Sequence, residues 1–132
     1  MTLVDSNVLL DVLTRTPDWW QWSLRQLEHA ALSGPLVIND IVYAEVSTRY
    51  PSVDTVDTVL RDFGVDLVAM PRAALFLAGK AFLNYRRARG TKHSVLPDFY
   101  IGAHAAVMQW PVLTRDIGRY RTYFPTVTLI AP

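Results

Sequence analysis

The chain has 132 residues, of which 51% are hydrophobic and 19% are charged, enough for one sizeable core and for a single domain over residues 1–132. Thirteen Lys and Arg residues offset twelve Asp and Glu residues, so the formal net charge of +1 does not indicate nucleic acid or a membrane as partner. The lack of Cys excludes disulfides, thiolate nucleophiles and Cys-ligated zinc. Because no apolar run approaches ~20 residues and no secretory signal pattern occurs, we expect a cytoplasmic protein without membrane contact.

The first part of the chain alternates between short apolar strands and capped helices. Ser6, Asp18 and Asn39 or Asp40 are residue types that cap helices, and Pro51 ends the last of these helices. In chain order, the predicted elements are a strand at 2–4, a helix that follows Ser6 to about 13, a helix at about 19–32, a strand at 36–38 and a helix from about 40 to 50.

The same alternation continues to the end of the chain. Residues 53–63 place apolar side chains on one stripe and charged ones opposite, the pattern of an amphipathic surface helix. The elements predicted after it are a strand at 65–69, a long helix from Pro71 to about Arg89, a loop at 90–95, an apolar helix at 98–110, a strand at 112–114, a turn around Gly118 and an edge strand at 127–130.

Strands that alternate with helices predict a mostly parallel sheet covered on both faces. We therefore expect an α/β fold, specifically a three-layer α/β/α sandwich with four to five strands. In open parallel sheets the functional site usually lies beyond the carboxyl ends of the strands. Polar residues just after a strand are consequently the first candidates for chemistry.

Four acidic residues either follow a strand or lie on an apolar helix, where a solvated charge would not be expected. Asp5 directly follows the first strand, and Asp116 comes two residues after the fourth. Glu45, one of only two Glu residues, shares a helix face with Ile41, and Asp98 opens the apolar helix. Taken singly, Asp5 and Asp98 could cap helices, Glu45 could pair with an Arg, and Asp116 could be a turn residue.

The four acids together favour a metal site. Carboxylates brought within ~4–6 Å of each other raise one another's pKa and destabilise a fold unless a cation compensates. A set of ligands made only of oxygen atoms suits Mg²⁺ or Mn²⁺ and argues against zinc, which prefers His and Cys.

At these residues the sequence resembles the PIN-domain ribonucleases of the VapC type, the toxins of bacterial toxin–antitoxin pairs. The segments that carry the resemblance are VDSNVLLDVL at 4–13, INDIVYAEVS at 38–47, LPDFYIGAHA at 96–105 and LTRDIGRY at 113–120. The resemblance spans essentially the whole chain and implies a parallel sheet between helices, as the alternation also predicts. It further implies metal-binding acids at Asp5, Glu45, Asp98 and Asp116, with supporting polar groups at Ser6, Asn7 and Thr114.

Acid residues of this kind and the resemblance together lead to a hypothesis about activity. One or two Mg²⁺ or Mn²⁺ ions would support in-line attack of water on an RNA phosphodiester, leaving 5′-phosphate and 3′-hydroxyl ends. Asp5, Asp98 and Asp116 would hold the metal, and Glu45 would ligate it or orient the water. The alternative is a catalytically silent PIN-like module that binds RNA or serves as a scaffold.

An acidic centre needs positive charge nearby if it is to receive RNA. The candidates for RNA contact lie on the long helix and its following loop, or flank Asp116; they are Arg86, Arg87, Arg89, Lys92, Arg115 and Arg119. The competing interpretation is a solvated helix end, where the helix dipole favours cations.

Two apolar surfaces are candidates for protein partners. Trp19, Trp20 and Trp22 crowd one helical turn and cannot all face one core, so we expect at least one to be exposed. The resemblance implies a cognate antitoxin, and this helix is its candidate contact. The long helix with Phe76 and Phe82 is apolar nearly all round, which makes it a candidate homodimer face.

Overall fold

A computed structural model describes residues 1–88, 90–91 and 96–132. Within them, five strands form one sheet in the order β3-β2-β1-β4-β5, and every neighbouring pair is parallel. The strands are β1 (Thr2–Val4), β2 (Leu36–Ile38), β3 (Val65–Leu67), β4 (Val112–Leu113) and β5 (Leu129–Ile130). The predicted α/β class with a parallel sheet is confirmed.

The helices of the described residues connect these strands. They are α1 (Ser6–Leu13), α2 (Trp20–Ser33), α3 (Asp40–Ser47), α4 (Val53–Asp62), α5 (Arg72–Arg87), α6 (Leu96–Met108) and α7 (Gly118–Tyr123). Strands β1, β2 and β4 are buried along their full length, as continuous apolar runs in a parallel sheet require. Helix α6 adds Phe99, Ile101 and Ala103 to the same core.

Three helix starts differ from the sequence prediction, and one of them is that of α6, which begins at Leu96 rather than at Asp98. Asp18 does not cap α2, because its backbone has a φ of 70° and the residue before the helix is Trp19. Ser6 is the first residue of α1, and the cap position belongs to Asp5, whose carboxylate makes no capping hydrogen bond. Asn39 does cap α3 as predicted, since its Oδ1 accepts hydrogen bonds from the backbone N–H groups of Ile41 and Val42, each at 3.1 Å.

The last third of the chain contains one helix that the sequence analysis missed. Residues around Gly118, expected to form a turn, make α7. The helix has only six residues, so its helical pattern is short. Arginines also separate the apolar positions in and around it, which are Ile117, Tyr120 and Phe124. Strands β3 and β5 are shorter than predicted but lie where expected, with β5 at one edge of the sheet.

None of the helices in the described parts of the chain is long and apolar enough to cross a membrane. Most of the predicted loop at 90–95 and the predicted helix end at Arg89 fall outside the described residues.

Candidate active site

The candidate site lies at the carboxyl edge of the sheet, where β1 and β4 end side by side. Asp5 follows β1, Thr114 follows β4, and the backbone N–H of Asp5 donates to the carbonyl of Leu113 at 2.9 Å. Asp5 is 4% exposed and Thr114 is fully buried. The parallel register of two adjacent strands therefore places residues 109 positions apart in direct contact.

Asp5 is surrounded by hydrogen-bond donors. Its Oδ2 accepts from the Thr114 hydroxyl at 2.8 Å and from the Tyr120 hydroxyl at 2.9 Å, and the Asn7 amide lies 3.4 Å away. Burial raises the pKa of the Asp5 carboxyl, and the bonds from Thr114 and Tyr120 oppose that rise. Burial therefore disfavours the ionised form of Asp5, and the hydrogen bonds from two hydroxyl groups favour it.

Glu45 approaches Asp5 from helix α3. The Ser6 hydroxyl donates to Glu45 Oε1 at 3.1 Å and stands 3.5 Å from Asp5 Oδ1, so it links the two carboxylates. Burial is the main reason that the pKa of Glu45 is raised, and the charge of Asp5 adds to it. Ser6 contacts both carboxylates, and the Asn7 amide contacts that of Asp5.

Asp98 is half-buried and lies in the electrostatic field of the other three acids. Burial, followed by the charges of Asp5 and Asp116, raises the pKa of Asp98 to about 7, and Arg119 acts against this rise. The guanidinium Nη1 of Arg119 lies 3.9 Å from Asp98 Oδ2. A carboxyl whose pKa is this high stands in a field of other negative charges that one arginine does not balance.

Asp116 completes the group from the loop between β4 and α7. Its backbone N–H donates to the Thr114 hydroxyl at 3.0 Å, and its Oδ1 accepts from the Gly118 N–H at 3.2 Å. Asp116 is therefore a turn residue, one of the alternatives considered for it. It also lies near the other acids, since its charge raises the pKa of both Asp5 and Asp98.

Carboxylate oxygens suit a hard divalent cation as ligands, but in the described residues these side chains are not arranged around a common position for one. Four carboxylates converge, and burial raises the pKa of three of them, so a cation would lower the cost of ionising them. In the described residues, however, no three acidic or histidine side chains stand in an arrangement that could hold a metal ion. Both oxygens of Asp5 face hydrogen-bond donors.

Comparison with known families identifies the fold that carries these acids. The PIN domain model matches residues 2–125, nearly the whole chain. This chain belongs to the PIN domain family. No curated protein sequence matches it at a significant level.

Solved structures share this fold over nearly their full length. VapBC2 from Rickettsia felis, bound to a promoter DNA fragment, is similar at 17% identity and a TM-score of 0.74, covering 99% of this chain and 98% of that one. DNA-bound VapBC from Salmonella typhimurium gives 16% identity and a TM-score of 0.71 over 98% and 96%. A toxin–antitoxin complex from Klebsiella pneumoniae gives 20% and 0.64 over 97% and 96%.

Tyr120 is a residue of this site that the sequence analysis did not identify. It is 2% exposed, and its hydroxyl donates a hydrogen bond to Asp5. Burial raises its pKa well above the ordinary value for tyrosine, so it remains a donor. The spacing of Ile117, Tyr120 and Phe124 on one helical face was the available signal.

The predicted basic residues that the structure describes divide into three groups. Arg119 lies at the acids, between Asp98 and the ring of Tyr85, whose centroid is 5.7 Å from its guanidinium carbon. Arg86 and Arg87 are exposed in the last turn of α5. Arg115 does not reach freely into solvent, because its guanidinium is bound by Asp11. Arg89 and Lys92 lie outside the described residues.

The candidate partner surfaces are more buried than expected. The prediction of an exposed tryptophan is wrong: Trp19, Trp20 and Trp22 are all half-buried, with Trp22 packed on the core. Phe82 also packs inside the chain, with its ring centroid 5.7 Å from that of Phe99. Phe76 is 68% exposed, so it alone of the two phenylalanines remains available to a partner.

Proposed function

We propose that this PIN domain is a Mg²⁺- or Mn²⁺-dependent endoribonuclease, the VapC-type toxin of a toxin–antitoxin pair. The observation that supports the proposal most is the convergence of four carboxylates from β1, α3, α6 and the loop after β4. Such a cluster is costly for a metal-free fold, since burial and mutual repulsion oppose ionisation of its members. A site built at that cost is best explained by a cationic ligand.

The four acids would have different roles, which follow from their surroundings. Asp5, Asp98 and Asp116 would hold the ion, and Glu45, tied to Ser6, would join them or orient the attacking water. A bound divalent ion at such a site activates water and neutralises charge on the scissile phosphate. Thr114 and Tyr120 would keep Asp5 ionised, because both donate hydrogen bonds to its Oδ2.

The positive charges near the acids would receive the RNA backbone. Arg119 has its guanidinium at Asp98, and Arg86 and Arg87 extend the positive charge from the end of α5. Arg89 and Lys92 stay in this proposal as predictions from the sequence. Phosphate contacts of this type make binding dependent on salt concentration.

Partners and location belong to the same proposal. The similar structures from Rickettsia felis and Klebsiella pneumoniae are toxin–antitoxin complexes, which supports a cognate antitoxin for this chain. The half-buried tryptophans around the start of α2 and the exposed Phe76 of α5 remain the candidate contacts for an antitoxin and for a homodimer; the tryptophans are Trp19, Trp20 and Trp22. A cytoplasmic location would follow from an RNA substrate.

The test is RNA cleavage by the purified protein in Mn²⁺ or Mg²⁺. We expect discrete cuts in tRNA, ribosomal RNA or messenger RNA that carry 5′-phosphate ends and disappear with EDTA. D98N should lose roughly 100-fold or more in cleavage rate, because it removes a carboxylate from the proposed metal site. The matched control is D62N, which neutralises an exposed aspartate at the end of α4 and should cleave normally.

Two results would contradict the proposal. Cleavage that survives both EDTA and D98N would come from a contaminant or from chemistry that does not use these acids. A folded protein that binds RNA but cuts none of the three classes with either metal would favour the silent RNA-binding or scaffold module instead.

A further inference from the structure

A fifth acid, Asp11, is buried on α1 outside the cluster of four. Its side chain is 1% exposed, and its oxygens accept three hydrogen bonds. The Ser23 hydroxyl of α2 donates to Oδ2 at 2.7 Å. Arg115 donates from Nε to Oδ2 at 2.7 Å and from Nη2 to Oδ1 at 2.9 Å, a bidentate ion pair.

Arg115 joins this buried pair to the proposed active site through the backbone. It lies between Thr114 and Asp116, and its own N–H donates to the Asn7 side-chain oxygen at 3.2 Å. The ring of Trp19 covers the guanidinium, with its centroid 4.9 Å from the guanidinium carbon. The Arg115 side chain is only 29% exposed, so Asp11 and Trp19 take most of its surface.

Three consecutive residues of the loop are therefore anchored in three different ways. Thr114 is held by Asp5, Arg115 by Asn7 and Asp11, and the Asp116 N–H by the Thr114 hydroxyl. Of these anchors, the ion pair with Asp11 is the one that reaches away from the cluster, into the junction of α1 and α2. A buried carboxylate needs its cationic partner, so the loop cannot swing away without leaving Asp11 unpaired.

We propose that Asp11 and Arg115 are positioning residues that fix the 114–116 loop so that Asp116 faces the other three carboxylates. This inference rests on the proposed function, because it assigns a purpose to the loop geometry of the same site. It also changes the predicted role of Arg115 from RNA contact to support of the loop. Since Asp11 cancels its charge, Arg115 neutralises neither the acid cluster nor a bound phosphate.

The experiment compares D11N, R115K and the neutral double variant D11N/R115Q with the unaltered protein. The double variant is included because R115Q alone would leave a buried, unpaired carboxylate and could fail to fold. R121Q is the control, since it removes one positive charge from an exposed position of α7. Circular dichroism and urea unfolding establish that each variant is folded under the assay conditions.

Three measurements separate positioning from the alternatives: kcat and KM for RNA cleavage, the Mn²⁺ dissociation constant by calorimetry, and the slope of RNA affinity against salt. We expect D11N and the double variant to weaken Mn²⁺ binding and lower kcat by roughly tenfold or more, with KM and the salt slope nearly unchanged. R115K should recover part of the loss, because it keeps the charge but not the bidentate geometry. R121Q should bind Mn²⁺ normally.

Two outcomes would overturn the inference. Folded variants with unchanged Mn²⁺ affinity and kcat would show that the pair serves stability alone. A raised KM with a shallower salt slope would instead make Arg115 an RNA contact.

The inference and the proposed function can fail separately. An unaltered protein that cuts no RNA would count against the proposed nuclease activity. Amide hydrogen exchange at Arg115 and Asp116 would still test whether the ion pair with Asp11 holds the 114–116 loop in place. Faster exchange at both amides in folded D11N would support it, and unchanged exchange would refute it.

Discussion

At the scale of single residues, the site is shaped by what each carboxylate touches. Asp5 is buried deepest and is compensated by hydroxyl donors, whereas Asp98 keeps 30% of its side chain exposed and is compensated by Arg119. The pKa of Asp98 nevertheless reaches about 7, because burial and the neighbouring carboxylates outweigh the arginine. Asp98 is thus one of the acids through which pH should act on the metal-free protein.

Asp98 should make the metal-free protein less stable as pH rises. Its folded pKa of about 7 lies above the ordinary value of 3.8, so the folded state retains a proton that the unfolded state has lost. The free energy of unfolding should therefore fall between these two pKa values and level off above the higher one. D98N removes the effect, and its stability advantage over the unaltered chain should grow by ~2 kcal/mol from about pH 5 to about pH 8.

Urea unfolding in EDTA at the two pH values measures this difference. Mn²⁺ should reduce the advantage of D98N, since an ion bound to the folded state favours the ionised carboxylate. An advantage that is the same at both pH values would mean that Asp98 titrates normally in the folded chain.

At the scale of elements, helix α6 sets the position of Asp98 by packing closely against its neighbours. Phe99, Ile101 and Ala103 are buried on more than one side of the helix, and Gly102 lies directly under the ring of Phe124, just after α7. A side chain at Gly102 would overlap that ring, so the glycine permits α6 and the end of α7 to approach. The two helices carry Asp98 and Arg119, which makes this contact relevant to the site.

Gly102 and Gly79 form a matched pair of helical glycines. G102A should destabilise the fold by ~1–3 kcal/mol, because its Cβ would force the Phe124 ring to shift. G79A, on the exposed side of α5 with no atom within 4 Å of the added Cβ, should instead stabilise it by up to ~1 kcal/mol. Thermal or urea unfolding of both variants checks the prediction, and equal effects would contradict the close packing.

At the scale of the whole molecule, the strand order creates the site and the charge distribution surrounds it. With β1 in the centre of the sheet, Asp5 has β2 and its following helix α3 on one side and β4 with its loop on the other. A net charge of +1 conceals this segregation, since acids gather at one edge of the sheet while Arg86 and Arg87 end a long helix.

The arginines at the end of α5 should govern the salt dependence of RNA binding. R86Q/R87Q should weaken binding and lower the magnitude of the salt slope by up to ~1–2, because each phosphate contact contributes just under ~1. Filter binding or fluorescence anisotropy with the inactive D98N background measures both quantities without cleavage. A slope identical to that of the parent would place the RNA elsewhere on the surface.

The sequence by itself determined the alternation of elements, the parallel sheet and the four acids. Strands of a parallel sheet are continuous apolar runs, helix caps are local, and a carboxylate directly after a strand can be read from its neighbours. These features depend on residues close together in the chain. Asp5, Glu45, Asp98 and Asp116 could therefore be chosen as candidates without knowledge of side-chain contacts.

Only the tertiary structure decided which partners those acids have. Tyr120 is 115 residues from Asp5, and Arg115 is 104 from Asp11, so neither pair leaves a local pattern. The burial of the tryptophans could not be predicted from the sequence either. Arg15 lies over the ring of Trp20, and the distant Arg115 lies over that of Trp19. Hydrogen bonds and ion pairs between distant residues form only once strand order has brought their elements together, and that order is a property of the whole chain.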